Sequence, residues 1–335
     1  MEFKFQMKLL VVKLSSLGDL VHAMPAIERV RAGLGATRFD WVTQPEYENL
    51  VRCIDGVERV IPFPRRNFVT GFAAFRRQLR MREYDLVVDF QGLWKSAIAT
   101  RSAKLASDGR RVGPSFAREG CRVMYHQCAS GTSDRHAVER CLDIPRFLGF
   151  GDQPVQFPFV PPAVPQPAGK IPIAIFPKSR WLAKNWPLEY LAVLSKRLLE
   201  RDGVHLHFLG GPKDGDVCAA LVRELGSEGG TERATNHAGT TPLPQLLGTI
   251  ARMRLLIGND SGPLHLAAAV GTPVLAFYGP TDPARTGPWG KAAKVLEAPR
   301  DGSSYKAEND RVIRKISIDQ AHSAAVAILD QVTKN

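Results

Sequence analysis

No apolar run in this 335-residue chain approaches the ~20 residues that a membrane-spanning helix needs. The first residues, Met1 to Met7 with Glu2 and Lys4, lack the apolar core of a secretory leader. A protein that stays in the cytoplasm is therefore expected. Cysteine is scarce too: Cys53, Cys121, Cys128, Cys141 and Cys218 are odd in number and form no C-x-x-C pair, so neither a disulfide framework nor a zinc site is indicated. They read as reduced, mostly buried thiols. Low-complexity tracts and short repeats are absent, and so is any G-x-G-x-x-G fingerprint, which argues against a Rossmann-type oxidoreductase.

Acidic residues fall short of basic ones, 33 against 45, giving a net charge of +12 and a pI near 9.7. Such an excess implies an anionic partner: nucleic acid, an anionic membrane surface or a phosphorylated substrate. Residues 59 to 122 hold 14 Lys or Arg against 5 Asp or Glu, so one part of the first half carries most of it. What remains is ordinary for a folded chain, with 44% hydrophobic and 23% charged residues. At roughly 150 residues per domain, two domains are expected.

Prolines 154, 158, 161, 162, 165 and 167 fix too many φ angles for a helix or central strand, which places an interdomain linker within 151–170. Before it, strand-like runs at Leu9 to Leu14, Phe39 to Val42, Arg59 to Ile61 and Leu86 to Phe90 alternate with helix-length periodic segments. After it the rhythm recurs with Pro172 to Phe176, His205 to Leu209, Leu255 to Ile257 and Pro273 to Phe277. An α/β chain of two Rossmann-like domains follows. The expected division is 1–155, a linker at 156–170, a second domain at 171–316, and a terminal helix at 317–335 packing back toward the N-terminal domain.

Several segments carry chemistry. Val11-Val12-Lys13-Leu14-Ser15-Ser16-Leu17-Gly18-Asp19 runs from a buried strand through a small-residue turn into a helix with Leu20, Met24, Ile27 and Val30 on one face. Open α/β sheets hold ligands at such strand ends, yet the spacing alone fits equally an Asp19 that only stabilises a helix terminus. Gly258-Asn259-Asp260-Ser261-Gly262-Pro263-Leu264-His265 follows another strand. Ser261 suits an N-cap, Pro263 the first turn, and the alanines beyond favour helix, so free N–H groups and the helix dipole would suit a diphosphate. An ordinary capped core helix with a satisfied His265 is the plainer reading. Lys178, Arg180 and Lys184 cluster on a loop before Pro187, either to neutralise a pyrophosphate or as a solvated basic loop. Gly210-Gly211-Pro212-Lys213-Asp214-Gly215-Asp216 offers Asp214 or Asp216 to ribose hydroxyls, or is a simple turn. Arginines 65, 66, 76, 77, 80, 82, 110, 111 and 118 suit phosphate and carboxylate oxygens, though charge runs on helix faces are usually only solvated.

Together, V-K-L-S-S-L-G-D near the start, D-F-Q-G-L-W-K-S at 89–96, H-A-V-E-R at 136–140 and G-N-D-S-G-P-L-H-L-A-A-A with F-Y-G-P-T-D-P at 277–283 resemble the lipopolysaccharide heptosyltransferases. The wording is closest to the heptosyltransferase I branch, which adds the first heptose to the Kdo of Kdo2-lipid A. The likeness implies a GT-B fold, two Rossmann-like domains facing a central cleft, the first binding acceptor and the second ADP-heptose. It implies an inverting, metal-independent transfer with Asp19 as catalytic base. Lys184 would meet the donor diphosphate, with Ser179, Asp214, Asp216 and Asp260, Ser261, Gly262, Pro263, Leu264 and His265 around the donor. Ser16, Gly18, Arg65, Arg66, Gln91 and Arg118 would meet the acceptor, although Asn67 and Phe68 stand where the family wording has a further basic residue. Asp214-Gly215-Asp216 spells the D-x-D of metal-dependent glycosyltransferases, but its turn better suits the donor ribose, and no metal or cofactor is expected.

The implied setting is the inner face of a Gram-negative cytoplasmic membrane, reached peripherally through the basic excess. Competing readings are a sister glycosyltransferase with another core-sugar acceptor or donor, and a nucleic-acid binder. The latter would need aromatics interleaved with the basic patch, such as Phe63, Phe68, Phe72 and Phe75.

Overall fold

The computed structural model describes residues 7–226, 230–290, 292–302, 304–307 and 310–333. These form two compact units, 1–160 and 161–335, described separately.

In the first unit six strands make one sheet: β1 (Leu9–Val12), β2 (Phe39–Thr43), β3 (Val57–Pro62), β4 (Glu83–Asp89), β5 (Lys104–Gly113) and β6 (Gln127–Cys128). Every pair is parallel, in the order β3-β2-β1-β4-β5-β6. Because both faces of a parallel sheet are covered, β1 reads Leu-Leu-Val-Val with all four side chains buried. The helices are α1 (Leu17–Gly33), α2 (Glu48–Val51), α3 (Phe68–Leu79), α4 (Trp94–Ser102) and α5 (Ala137–Phe147). The face of α1 carrying Leu20, Met24, Ile27 and Val30 is buried, as its spacing predicts, and α5 packs along it.

The second unit repeats the plan with β7 (Ile171–Phe176), β8 (Val204–Phe208), β9 (Ala234–Asn236), β10 (Leu255–Asn259), β11 (Val274–Tyr278) and β12 (Ala293–Glu297). Its order, β12-β11-β10-β7-β8-β9, is the same topology, again all parallel. Its helices are α6 (Leu188–Leu199), α7 (Gly215–Glu224), α8 (Leu243–Ile250), α9 (Gly262–Ala269), α10 (Pro283–Thr286) and α11 (Ile318–Thr333). The α/β, twice-Rossmann expectation holds, and each sheet has one switch point: between β1 and β4, and between β7 and β10.

One expectation is corrected. The terminal helix α11 is built into the second unit: Ala321, Ala325 and Leu329 join the core with Leu194, Leu198 and Ile257. Arg197 on α6 and Arg201 in the turn after it pair with Asp319 and Asp330 along α11. The division between the units, after Val160, lies within the segment expected as linker, its first part held by the first unit and its later part by the second. Ile54 and Phe159 form an antiparallel bridge and Val160 N–H donates to Cys53 O, whereas Pro162 O lies where a Cβ on Gly248 would come within 2.5 Å.

Candidate functional site

At the first switch point β1 delivers Lys13 and Leu14, and the turn Ser15-Ser16 opens α1. Asp19, in its first turn, accepts the Ser16 N–H at 2.9 Å and the Ser16 Oγ–H at 2.8 Å, both on Oδ2. The capping role that spacing allowed is therefore present. The same carboxylate also lines a cleft of about 220 Å³, so the two readings coexist. Gln91, from the loop after β4, points its Oε1 at the N–H groups of Leu14 and Ser15, at 3.3 and 3.2 Å. That oxygen is engaged by backbone and fixes the loop ahead of Asp19, while the residue also lines the cleft with Asp19 and Arg118. Beneath it the fully buried Asp89 accepts the N–H of Gln91 at 2.7 Å, of Gly92 at 3.1 Å, and the Tyr125 hydroxyl at 2.7 Å. Burial pushes this carboxyl above its ordinary range, with Ser96, Tyr125 and the two amides pulling against it.

Lys13, His22, Phe116, Arg140 and Cys141 share the cleft with Asp19, Gln91 and Arg118. Sequence reasoning assigned none of those five to it. Helical spacing offers a signal for His22, three residues after Asp19, and for Cys141, one turn after Ala137 on α5, but none for Lys13 and Phe116, which lie outside the helices. Lys13 is 5% exposed and donates Nζ–H to Phe90 O at 2.9 Å. The Arg140 guanidinium lies 4.6 Å from the centre of the Phe116 ring. Ser16 and Gly18 flank Asp19 in sequence. Arg65 and Arg66 are not in this cleft: they stand exposed on the loop after β3, where Arg65 Nη1 reaches Gln44 Oε1 at 3.1 Å.

At the second switch point, Lys184 on a short turn after β7 meets Asp260 at the end of β10, Nζ to Oδ2 2.5 Å. That oxygen also accepts from Thr281 Oγ1 at 2.8 Å, while Oδ1 lies 3.3 Å from the Tyr278 hydroxyl and 3.8 Å from His265 Nε2. Burial alone would raise the Asp260 carboxyl; His265 and Lys184 together outweigh it and hold it well below the usual range. The Lys184 loop is pinned from both sides. Asn185 Oδ1 accepts from Ser179 N–H and Oγ–H, and Asn259 Oδ1 accepts the Trp186 N–H while its Nδ2 donates to Pro177 O.

The α9 terminus differs from expectation in its details. Ser261 occupies the N-cap position, but its buried Oγ has no hydrogen-bond partner among the described residues. Pro263 has no N–H, Leu264 N–H goes to Ser261 O at 3.2 Å, and the Leu264 side chain is fully buried. The polar groups left at this end are the Gly262 N–H and the Ser261 hydroxyl. Asp214 Oδ2 accepts Gly211 N–H at 2.8 Å, which is the turn role, and Asp216 is exposed in the first turn of α7. Neither is bonded to the Lys184–Asp260 group among the described residues. No three His, Cys, Asp or Glu come together as a metal-holding group among the described residues.

The model of glycosyltransferase family 9 (heptosyltransferase) matches residues 72–315. Lipopolysaccharide heptosyltransferase 1 of Escherichia coli K12 is 30% identical over 93% of this chain and 99% of its own length. The solved structure of E. coli heptosyltransferase WaaC with ADP superposes with a TM-score of 0.80 at 26% identity, covering 97% of this chain and all of that one. The structure of E. coli ADP-heptose heptosyltransferase II gives 0.82 at 23% identity over 97% and 99% of the two chains, a likeness of fold.

Proposed function

Since this chain belongs to glycosyltransferase family 9, with the GT-B fold, and is a heptosyltransferase of lipopolysaccharide core biosynthesis, we propose that it transfers heptose from ADP-heptose to the Kdo of Kdo2-lipid A. The transfer inverts the anomeric carbon and needs no metal ion. The observation that carries this reading is the contrast between the two switch points. One presents a carboxylate among cations, the other a lysine beside a helix N-terminus.

Asp19 is the base. Oδ2 is held by Ser16, and Oδ1 accepts no hydrogen bond among the described residues, so it is open to an acceptor hydroxyl. As that oxygen bonds to the anomeric carbon its proton passes to Asp19, and the bond from that carbon to the ADP phosphate oxygen breaks. Charge collects on the departing diphosphate, where Lys184 and the Gly262 N–H meet it. Lys184 supplies what a divalent ion supplies in D-x-D enzymes. The grouping of Lys13, Arg118 and Arg140 near Asp19 supports an acceptor carrying a carboxylate, as Kdo does. The basic excess supports a peripheral place on the inner membrane face.

An acceptor panel tests this reading. ADP release from ADP-heptose should be rapid with delipidated Kdo2-lipid A and slow with the same acceptor already carrying one heptose. The reverse preference would assign the chain to a later core position.

A further inference from the structure

Residues 59 through 82 contain seven arginines and no aspartate or glutamate. Two of them turn inward: Arg59 and Arg82 each lie 3.2 Å from the buried Asp40, and Arg82 also pairs with Glu58. The other five, Arg65, Arg66, Arg76, Arg77 and Arg80, are exposed and have no ion-pair partner among the described residues.

Helix α3 sorts these residues by face. Phe68, Phe72, Phe75 and Leu79 form one stripe at i, i+4, i+7 and i+11; the ring of Phe72 packs on those of Phe68 and Phe75, which both meet the buried Phe63. The opposite stripe reads Val69, Ala73, Arg76, Arg77 and Arg80, and Val69 is 91% exposed.

We infer that this outward face of α3, with the Arg65–Arg66 loop before it, docks the protein onto anionic lipid headgroups, Val69 entering the headgroup layer and the arginines lying along it. Charge complementarity selects the partner, since the surface carries cations and no acid. A nucleic acid would need stacking surfaces between the arginines, but Phe72 and Phe75 lie on the opposite stripe, Phe75 is 3% exposed, and the half-exposed Phe68 packs its ring on Phe63 and Phe72. The surface is tied to the acceptor cleft of the same unit. Arg65 bonds Gln44, whose N–H donates to Leu14 O at 3.1 Å, just ahead of the Asp19 turn. Docking would thus present a membrane-borne acceptor to Asp19, a consequence that rests on the reading above.

Co-sedimentation of the full chain with phosphatidylcholine vesicles, with and without phosphatidylglycerol, tests this. Binding should require phosphatidylglycerol and weaken with salt. Reversing two charges, Arg76→Glu with Arg77→Glu, should weaken it by at least about 25-fold, from about fivefold per arginine. Val69→Asp should weaken it as well, and both variants should keep full turnover on the delipidated, water-soluble acceptor. The inference is overturned if anionic vesicles do not bind the wild type, if the variants bind as it does, or if a single-stranded oligonucleotide outcompetes the vesicles. Loss of soluble turnover in the wild type would instead overturn the acceptor assignment, leaving the vesicle result to be judged separately.

Discussion

Lys184 Nζ sits 2.5 Å from Asp260 Oδ2, which also holds the Thr281 hydroxyl. The lysine proposed to meet the donor diphosphate is therefore aimed by a buried carboxylate. Lys184→Ala should abolish measurable ADP binding and lower stability by up to about 3 kcal/mol, because it strips a buried charge of its partner. Adding Asp260→Asn should restore much of the stability but not the affinity, measured by thermal melts and calorimetry. Recovery of ADP binding in the double variant would show that Lys184 serves only the carboxylate.

The same pair fixes a pH expectation. Asp260 is held below its ordinary value of 3.8, so its contribution is complete above that value and is lost as pH falls toward the depressed one. ADP affinity measured from pH 5 to 8 should show no titration attributable to Asp260.

Gln91 spans the first switch point, its amide oxygen on the Leu14 and Ser15 N–H groups. Gln91→Leu should loosen the turn that carries Asp19 and lower kcat on the order of 10–100-fold, while the Kd for ADP, proposed to bind on the other unit, stays unchanged. Equal loss of both would mean global damage instead.

His207 is 2% exposed, donating Nε2–H to Ala168 O at 3.1 Å and accepting at Nδ1 from His237 at 3.0 Å. Burial brings it from 6.5 down to about 4, the Ala168 carbonyl pulling the other way and His205 and His237 adding to the fall. The neutral form is thus favoured in the fold. Its stabilisation is complete above about pH 6.5 and is lost as pH falls toward 4, on the order of 3 kcal/mol at the limit. Tm should fall across that window, and His207→Gln should flatten the slope.

Much of this was legible in the residues because buried parallel strands write themselves as continuous apolar runs. Leu9 to Val12, Ile171 to Phe176 and Leu255 to Asn259 are found close to where their patterns put them. Other strands were not legible, although the edge strand β3 was: β5 reads Lys-Leu-Ala-Ser-Asp-Gly-Arg-Arg-Val-Gly, much of it exposed, and the short β9 and the mixed β12 do not stand out. Asp19, Lys184 and Asp260 announced themselves by following strands at the ends where α/β sheets place ligands. Lys13 and Arg140 did not, because one ends a strand and looks like a boundary, while the other sits mid-helix among ordinary charges. The split of the proline-rich segment and the seat of α11 depend on packing between elements far apart in sequence, which no local pattern reports.

The most direct test of the central claim follows ADP release from ADP-heptose and delipidated Kdo2-lipid A by wild type and Asp19→Asn side by side, with ADP affinity measured for both. The amide keeps an acceptor oxygen for the Ser16 donors, so the fold should survive. The account predicts a loss of at least about 10²-fold in turnover, within the range of a missing general base, with ADP affinity unchanged. Turnover within a few-fold of the wild type would leave Asp19 a capping residue and nothing more.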